Sequence, residues 1–572
     1  MRSTPAAIGL LLVFACGCSS RAVDDGDTGT GTDGDTGGDP SAPTTGDPEP
    51  GGHGIALSVN RDVDILFVLD NSGSMGEEQA LLSHNIPAFI DVLEADAQVN
   101  YRIGVTTTDN GNPACGPSSP EAGALQMSSC LARTSEFVFS GTPPADATTA
   151  CTDLCIHDTI TTVPTTTELD PEAKPRPWLE STEGRTNLAE VGGVLPTAVE
   201  AFQCFGPQGI AGCGFESHLE SMYKAFLRAE QEDEAQYGFL RSNAALSIVI
   251  VTDELDCSFN NDFASIFANE EEGGNQVFWT NPDAQLPSSA VCFNAGVVCT
   301  GGPGLYDECH ASNKDVDGNV DVADDVAVLH PVSRYTDFVQ ELEDQKQTIT
   351  PDQEVLVALI AGVPVGYDQG QAEITYADAS DQEQIDFGIG AGCVNNSVEP
   401  PATARPPVRE REFAEAFEVG SDDRSMFSVC AEDFSPALDD IANAIRDQIR
   451  PSCMPACVAD SDLVTAGVQP ACALVQDSPA EGGGVEEIDI PPCDGTELPA
   501  GAEVCYVALV DKGGVSTTPS ESDQMSEYCA AQGWNLEFRL VRAPGSPAPG
   551  GTAVFPSCLL SQAKKQDCPD LP

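Results

Sequence analysis

The sequence predicts an α/β fold: a doubly wound, mostly parallel sheet with long loop insertions, joined to a small disulfide-rich, β-rich carboxyl-terminal domain. Three observations predict it. Apolar runs of buried-strand length recur along the first 450 residues, and helix-like stretches separate them. Beyond that point the chain turns to short strands between Pro and Gly, with closely spaced cysteines. Unbroken apolar runs suit strands covered on both faces, and strand–helix alternation suits an open parallel sheet.

The elements follow in chain order. Val63 to Leu69 is the first strand and ends at Asp70. Glu77 to Leu93 has helical character, and Tyr101 to Thr106 is the next strand. A helix over Glu216 to Ala229 precedes the run Leu246 to Thr252, which ends at Asp253. Val355 to Ala361 is a further strand, ending at Gly362, and Phe434 to Ile449 is the last helix of the domain. The surplus length falls in insertions at about 110–185, 257–350 and 365–425, rich in Pro, Gly, Asp or Cys. Residues 55–450 form the large domain. Residues 451–572 form the cysteine-rich module, with strands at Glu503 to Val510 and Asn535 to Val541.

The chain carries 91 Asp and Glu against 25 Lys and Arg, a formal charge of −66. Such a surface is repelled by phosphate backbones and anionic bilayers, which argues against nucleic-acid binding. Of the 22 cysteines, those from Cys115 to Cys430 and those from Cys453 to Cys568 are each even in number. Two separate disulfide sets in an oxidising compartment are expected. The zinc-like spacings Cys151/Cys155 and Cys453/Cys457 lack paired His.

Residues 1–18 read as a signal peptide: Arg2, then the apolar run Ile8 to Phe14, too short to span a membrane. The following Ala15-Cys16-Gly17-Cys18 resembles the lipobox of bacterial lipoproteins. That resemblance implies lipidation of Cys18 or Cys16. Parity favours Cys18, since it leaves an even number of cysteines beyond it. An ordinary secretory signal is the alternative, and export is expected either way. Membrane contact is expected only through the lipid. Residues 19–54, nearly all Asp, Gly, Thr, Pro and Ser, read as a disordered acidic tether.

Ligands of open parallel sheets bind beyond the carboxyl ends of the strands, where Asp70 and Asp253 fall. Asp70, Ser72 and Ser74 alternate in the Gly-containing loop Asp70-Asn71-Ser72-Gly73-Ser74-Met75. Alternate side chains of a tight loop converge, and one carboxylate with two hydroxyls is a hard-oxygen set suited to Mg²⁺ or Mn²⁺, or to Ca²⁺. This pattern, with Val-Thr-Asp253 on a later strand, resembles the von Willebrand factor A-type domain and its metal-ion-dependent adhesion site. The resemblance covers about residues 60–450. It implies Asp70, Ser72, Ser74 and Asp253 as metal ligands, and a partner protein whose acidic side chain completes the coordination. The family's remaining ligand, usually Thr, has no Thr at the matching place, before the helix that precedes Asp253. Glu216 stands there, as in the integrin-β version, with Ser217 as second choice; Thr186 lies too far upstream. Glu216 also suits a helix amino terminus with no metal.

Asn313, Asp315, Asp317, Asn319, Asp321 and Asp324, with Gly318, follow the spacing of a calcium-binding loop. A structural Ca²⁺ and a solvated acidic turn are both open. Glu254 and Asp256, beside Asp253, read as exposed or as supporting acids. His218 and His310 read as surface or packing residues near these loops, and His53 falls in the tether. No hydrolase, metalloprotease or phosphate-loop motif is present. The expectation is a non-enzymatic cell-envelope lipoprotein that binds a partner protein through a divalent cation. The alternatives are an exported metal-dependent hydrolase with Glu254 as base, and a structural envelope protein with a vestigial site.

Overall fold

The structure, a computed structural model, describes residues 61–568, except 95–98, 117–119, 140–143, 183, 349–352, 399–400, 419–423, 450–451, 462–467, 480–484, 496, 511–524, 527–528, 531 and 544–552. The expected signal peptide and tether, with Cys16 and Cys18, lie outside the described residues. The chain divides into units Met1–Gly52 and His53–Pro572, and all described residues belong to the second.

The first apolar run forms β1 (Asp62–Leu69), followed by α1 (Gly76–Glu94) and β2 (Asn100–Thr107). Two short strands come next, β3 (Leu179–Thr182) and β4 (Arg185–Thr186), then α2 (Ala198–Phe205) and α3 (His218–Ala229). They lead to β5 (Ala245–Val251), α4 (Val332–Gln347) and β6 (Leu356–Ala361). The series closes with α5 (Val408–Glu415), β7 (Met426–Ser428) and α6 (Ser435–Gln448).

The seven strands form one sheet in the order β7-β6-β5-β1-β2-β3-β4. Strands β7, β6, β5, β1 and β2 pair in parallel, and β3 and β4 add antiparallel strands at one edge. The chain works outward from β1 to β2 on one side, then returns to place β5 on the other. The strand order therefore reverses between β1 and β5, the position beyond whose carboxyl ends ligands of such sheets bind.

Period-two alternation in β1 sends Val63, Ile65, Phe67 and Leu69 to one face, packed with α1, α2 and α6. Leu66 and Val68 face the other way, against α3, α4 and α5. Both faces are covered, so the strands read as largely apolar runs, and the buried charged exceptions are paired, Asp64 with Arg241 at 2.9 Å and Arg102 with Glu180 at 2.8 Å. Phe67 sits edge-on to Phe89 and Phe202 at 5.6 and 5.4 Å, an arrangement favoured by the ring quadrupoles.

Two helices overturn the expected insertion boundaries. Helix α4 lies within 257–350, yet Val332, Tyr335, Val339 and Leu342 pack into the sheet's second face. Helix α5 lies within 365–425 and buries Phe413 and Ala414 there. Both are framework elements.

Ten disulfides join the described cysteines in two sets that do not cross. Six lie between Cys115 and Cys430. Four lie between Cys453 and Cys568. Crosslinks at this density belong to an oxidising, extracytoplasmic setting. Residues 452–568 build two antiparallel three-stranded sheets around Val458, Leu474, Ile490, Leu536 and Phe538. Among the described residues no helix is long and apolar enough to cross a membrane.

Candidate metal centre

Leu69 and Val251 are register partners at the ends of β1 and β5. The next residues carry the ladder one step further, Asp70 N–H donating to the Val251 carbonyl and Thr252 N–H to that of Ile360, each at 3.0 Å. Asp70 and Asp253 thus leave the sheet at the reversal of strand order. The Asp70 Oδ1 accepts the Ser72 N–H at 2.8 Å, which turns the loop back on itself. The turn brings the Ser72 and Ser74 hydroxyls to 3.2 Å, and Ser74 Oγ donates to Asp253 Oδ1 at 3.1 Å. Asp70, Ser72 and Asp253 are buried, while Ser74 is exposed and marks the open side.

The loop is clamped from below. Gln79 Nε2 donates to the carbonyls of Asp70 and Gly209, both at 2.8 Å, while its Oε1 accepts N–H groups from Gln208 and Gly209. Gly212 meets this loop so closely that a Cβ there would lie 2.2 Å from Asn71 Oδ1. A larger residue there would have to displace the buried Asn71 side chain.

Glu216 enters from the residues before α3 and is 1% exposed. Its neighbourhood is pinned twice. Cys257 N–H donates to the Glu216 carbonyl, and Ser217 Oγ donates to the Cys257 carbonyl at 2.9 Å. The Ser217 hydroxyl gives its proton to backbone, while the Glu216 carboxyl lies close enough to Asp70 and Asp253 for their charges to act on it. Disulfides Cys115–Cys213 and Cys257–Cys292 staple the two segments that carry Glu216 and Asp253. Thr186 lies on β4, at the sheet edge three strands from β1.

The electrostatics are those of crowded acids. Burial, then Glu254, Asp70 and Asp253, raises the Glu216 carboxyl well above its ordinary range. Burial, then Asp70, Glu78 and Glu254, does the same to Asp253. Glu254 and Glu78 are each pushed up to about 7, chiefly by burial. Glu216 Oε1, Glu254 Oε2 and Glu78 Oε2 are buried without a hydrogen-bond partner. Desolvated, mutually repelling carboxylates with unsatisfied oxygens fit a cation of the hard-oxygen class. Ser72 and Ser74 link Asp70 to Asp253 by hydrogen bonds, while Asp70, Asp253 and Glu216 do not bring three carboxylate oxygens within 4.8 Å of one another.

The support beneath this site matches the alternatives the sequence left open, a supporting acid at Asp256 and a packing role for His218, although its connections were not legible. His218 is fully buried, not a surface residue. Burial alone would lower its pKa, but the Asp70 and Glu410 carboxylates overcome this and raise it to about 10. Asp256 is also buried, not exposed: it accepts from Arg409 Nε at 2.9 Å, Ser258 Oγ at 2.6 Å and the Leu219 N–H at 3.2 Å, anchoring the start of α3. Glu254 is half-buried. The spacing of these residues carries no signal for such a network; it arises only when α3 and α5 meet below the strand ends. His310 is exposed, as expected.

The 313–324 loop is a self-satisfied turn. Asp315 Oδ1 accepts the N–H groups of Asp317 and Asn319, each at 3.0 Å, and Asn319 Nδ2 bonds the same carboxylate. Hydrogen bonds from Asn319 hold the Asp315 carboxyl below its ordinary range. Asn313 Nδ2 donates to Asp324 Oδ1 at 2.9 Å, so the loop's ends meet. Asp317, Asn319 and Asp321 are exposed along it, and Asp321 adopts a left-handed φ of 56°. Cys130, Cys151 and Cys155 also cluster, and they form the sole group of three or more His, Cys, Asp or Glu donors within 4.8 Å of one another among the described residues. All three are in disulfides, which leaves no thiolate for a metal.

No family model and no curated protein matches this chain. Among solved structures, two crystal structures of the pilus adhesin SpaC from Lactobacillus rhamnosus GG, one in an open conformation, match at 9% and 10% identity. Each match covers 89% of this chain at a TM-score of 0.26. The chain spans 41% and 40% of those two proteins. A likeness at that score carries no argument about fold or function.

Proposed function

We propose that the protein is a lipid-anchored cell-envelope protein whose doubly wound domain is of the von Willebrand factor A type. In this reading Asp70, Ser72, Ser74, Asp253 and Glu216 hold a divalent cation, Mg²⁺, Mn²⁺ or Ca²⁺. The ion supplies one positive centre to which an acidic side chain of a partner protein bonds. One observation carries the reading: the Ser74 hydroxyl reaches Asp253 across 179 residues of sequence, at 3.1 Å, on the edge where the strand order reverses. The orphaned, buried Glu216 oxygen supports a cation there, because an uncompensated acid in that place is costly without one. Exposure of Ser74 supports approach of the partner from that side. A lipid on Cys18 or Cys16 and the tether over 19–54 would hold the domain away from the membrane.

The test is capture of partner proteins from envelope extract by the full chain, in Mg²⁺ or in chelator. Partners held in Mg²⁺, released by chelator and lost with Asp70→Ala are the expected result. Capture indifferent to both overturns the reading.

A second reading, metal-dependent hydrolysis, draws on Glu254, whose burial pushes its carboxyl up to about 7 beside the ion site, a range suited to a base that activates water. Turnover of a peptide or glycan panel, abolished by Asp70→Ala, would favour it. We expect none.

A further inference from the structure

We propose that Thr252 and His218 are positioning residues of the cation site, acting by fixing the orientation of Asp70. The inference rests on the metal-holding reading above and assigns roles to two residues which that reading does not use.

Thr252 stands between the end of β5 and Asp253. A hydroxyl has one donor and two acceptor positions, and all three are used here. Thr252 Oγ1 donates to Asp70 Oδ2 at 2.7 Å. It accepts the Glu254 N–H at 3.0 Å and lies 2.7 Å from His218 Nε2. With its only proton given to Asp70, the hydroxyl meets His218 as an acceptor, which sets Nε2 as a protonated nitrogen. The other ring nitrogen, Nδ1, lies 3.2 Å from Glu410 Oε1 and 3.8 Å from Asp256 Oδ1. Asp256 is held in turn by Arg409, whose guanidinium also donates to the His330 carbonyl at 2.7 Å. His218, Asp256, Glu410 and Arg409 are all buried.

The consequence falls on Asp70. Its two carboxylate oxygens are held from different directions, Oδ1 by the Ser72 N–H and Oδ2 by Thr252. The carboxylate cannot rotate without breaking one bond. The lone pairs left for an ion therefore have a fixed direction, and the cost of ordering Asp70 is met before the ion arrives. Partners of this kind around a ligand typically change metal affinity by about 10- to 100-fold. His218 contributes by holding the Thr252 hydroxyl in the rotamer that donates to Asp70.

The test uses the full chain and Mn²⁺ alone, with affinity read by calorimetry and the Mn²⁺ environment by its paramagnetic resonance line shape. Thr252→Val keeps the shape and removes the hydroxyl; it should weaken Mn²⁺ binding about 10- to 100-fold and change the line shape. Thr252→Ser restores the hydroxyl and should return both to the wild-type values. Circular dichroism checks folding, and if the Val variant fails to fold, Thr252→Ala replaces it with the same expectation. Wild-type affinity and line shape in a hydroxyl-free variant, while Asp70→Asn loses Mn²⁺, overturns the positioning role and leaves the metal site standing. A wild-type chain that takes up no Mn²⁺ overturns both.

Discussion

Glu216 is the residue on which the character of the site turns. In the proposed cation site, a neutral hydroxyl in its place would leave the ion with more uncompensated charge for an incoming carboxylate; a buried glutamate would neutralise part of that charge internally. Its carboxyl is raised first by burial and then by neighbouring acids. Glu216→Gln removes that repulsion. The metal-free variant should melt higher than wild type, on the order of 1 kcal/mol for one uncompensated buried group, and should bind cation more weakly. Thermal melts with and without Mg²⁺ check both signs, and a lower metal-free melting point would contradict the account. The placement of Asp70, Ser72, Ser74 and Asp253 at the strand ends was legible in the sequence because strand-end position and alternate spacing are local patterns. The roles of Thr252 and His218 were not. Nothing local distinguishes a buried histidine that organises a carboxylate from a surface one, and the distinguishing contacts come from α5, nearly two hundred residues downstream.

Among the elements, β1, β2, β5 and β6 were read within a residue or two because a doubly covered sheet writes itself as apolar runs, whereas β3 and β4, short edge strands at the end of an expected insertion, were not read. Helix α4 was hidden by composition. Its charged outer face and Asp-rich neighbours resemble an insertion, although Val332, Tyr335, Val339 and Leu342 follow helical spacing. Strand β7, at three residues, is too short to carry a pattern. The disulfide pairing was equally invisible, since it depends on which loops meet. The Cys257–Cys292 bridge closes 35 residues of sequence and fixes the loop that follows Asp253. Replacing both with Ser should cost about 2–4 kcal/mol of stability, read by denaturant unfolding, and should weaken cation binding as the Glu216 backbone loses its anchor. Unchanged stability would show that the loop is held by packing alone.

At the largest scale the chain combines an acidic composition with ten crosslinks and opposed pH responses among its described residues. Glu78 and Glu254 are pushed up to about 7, so each favours the folded state more as pH falls from 7 toward 4.5. His330 acts the other way. Burial, then Arg334, Arg409 and Lys224, holds it down to about 4 against an ordinary 6.5, with Asp256 opposing. Its neutral form belongs to the folded state, so its contribution is complete above pH 6.5 and is lost as pH falls through 4. His330→Gln should therefore lose less stability than wild type between those values, relative to its own stability at pH 7. Equal slopes in thermal melts would contradict this assignment.

The central claim is that oxygen donors from β1, β5 and the approach to α3 form one cation site. Calorimetric titration of Mg²⁺ and Mn²⁺ into the metal-free full chain at physiological salt tests it most directly, with Asp70→Asn beside the wild type to separate the site from the acidic surface. One saturable site in the wild type and none in the variant is the expected result; equal uptake by both chains, or none by either, would rule the site out.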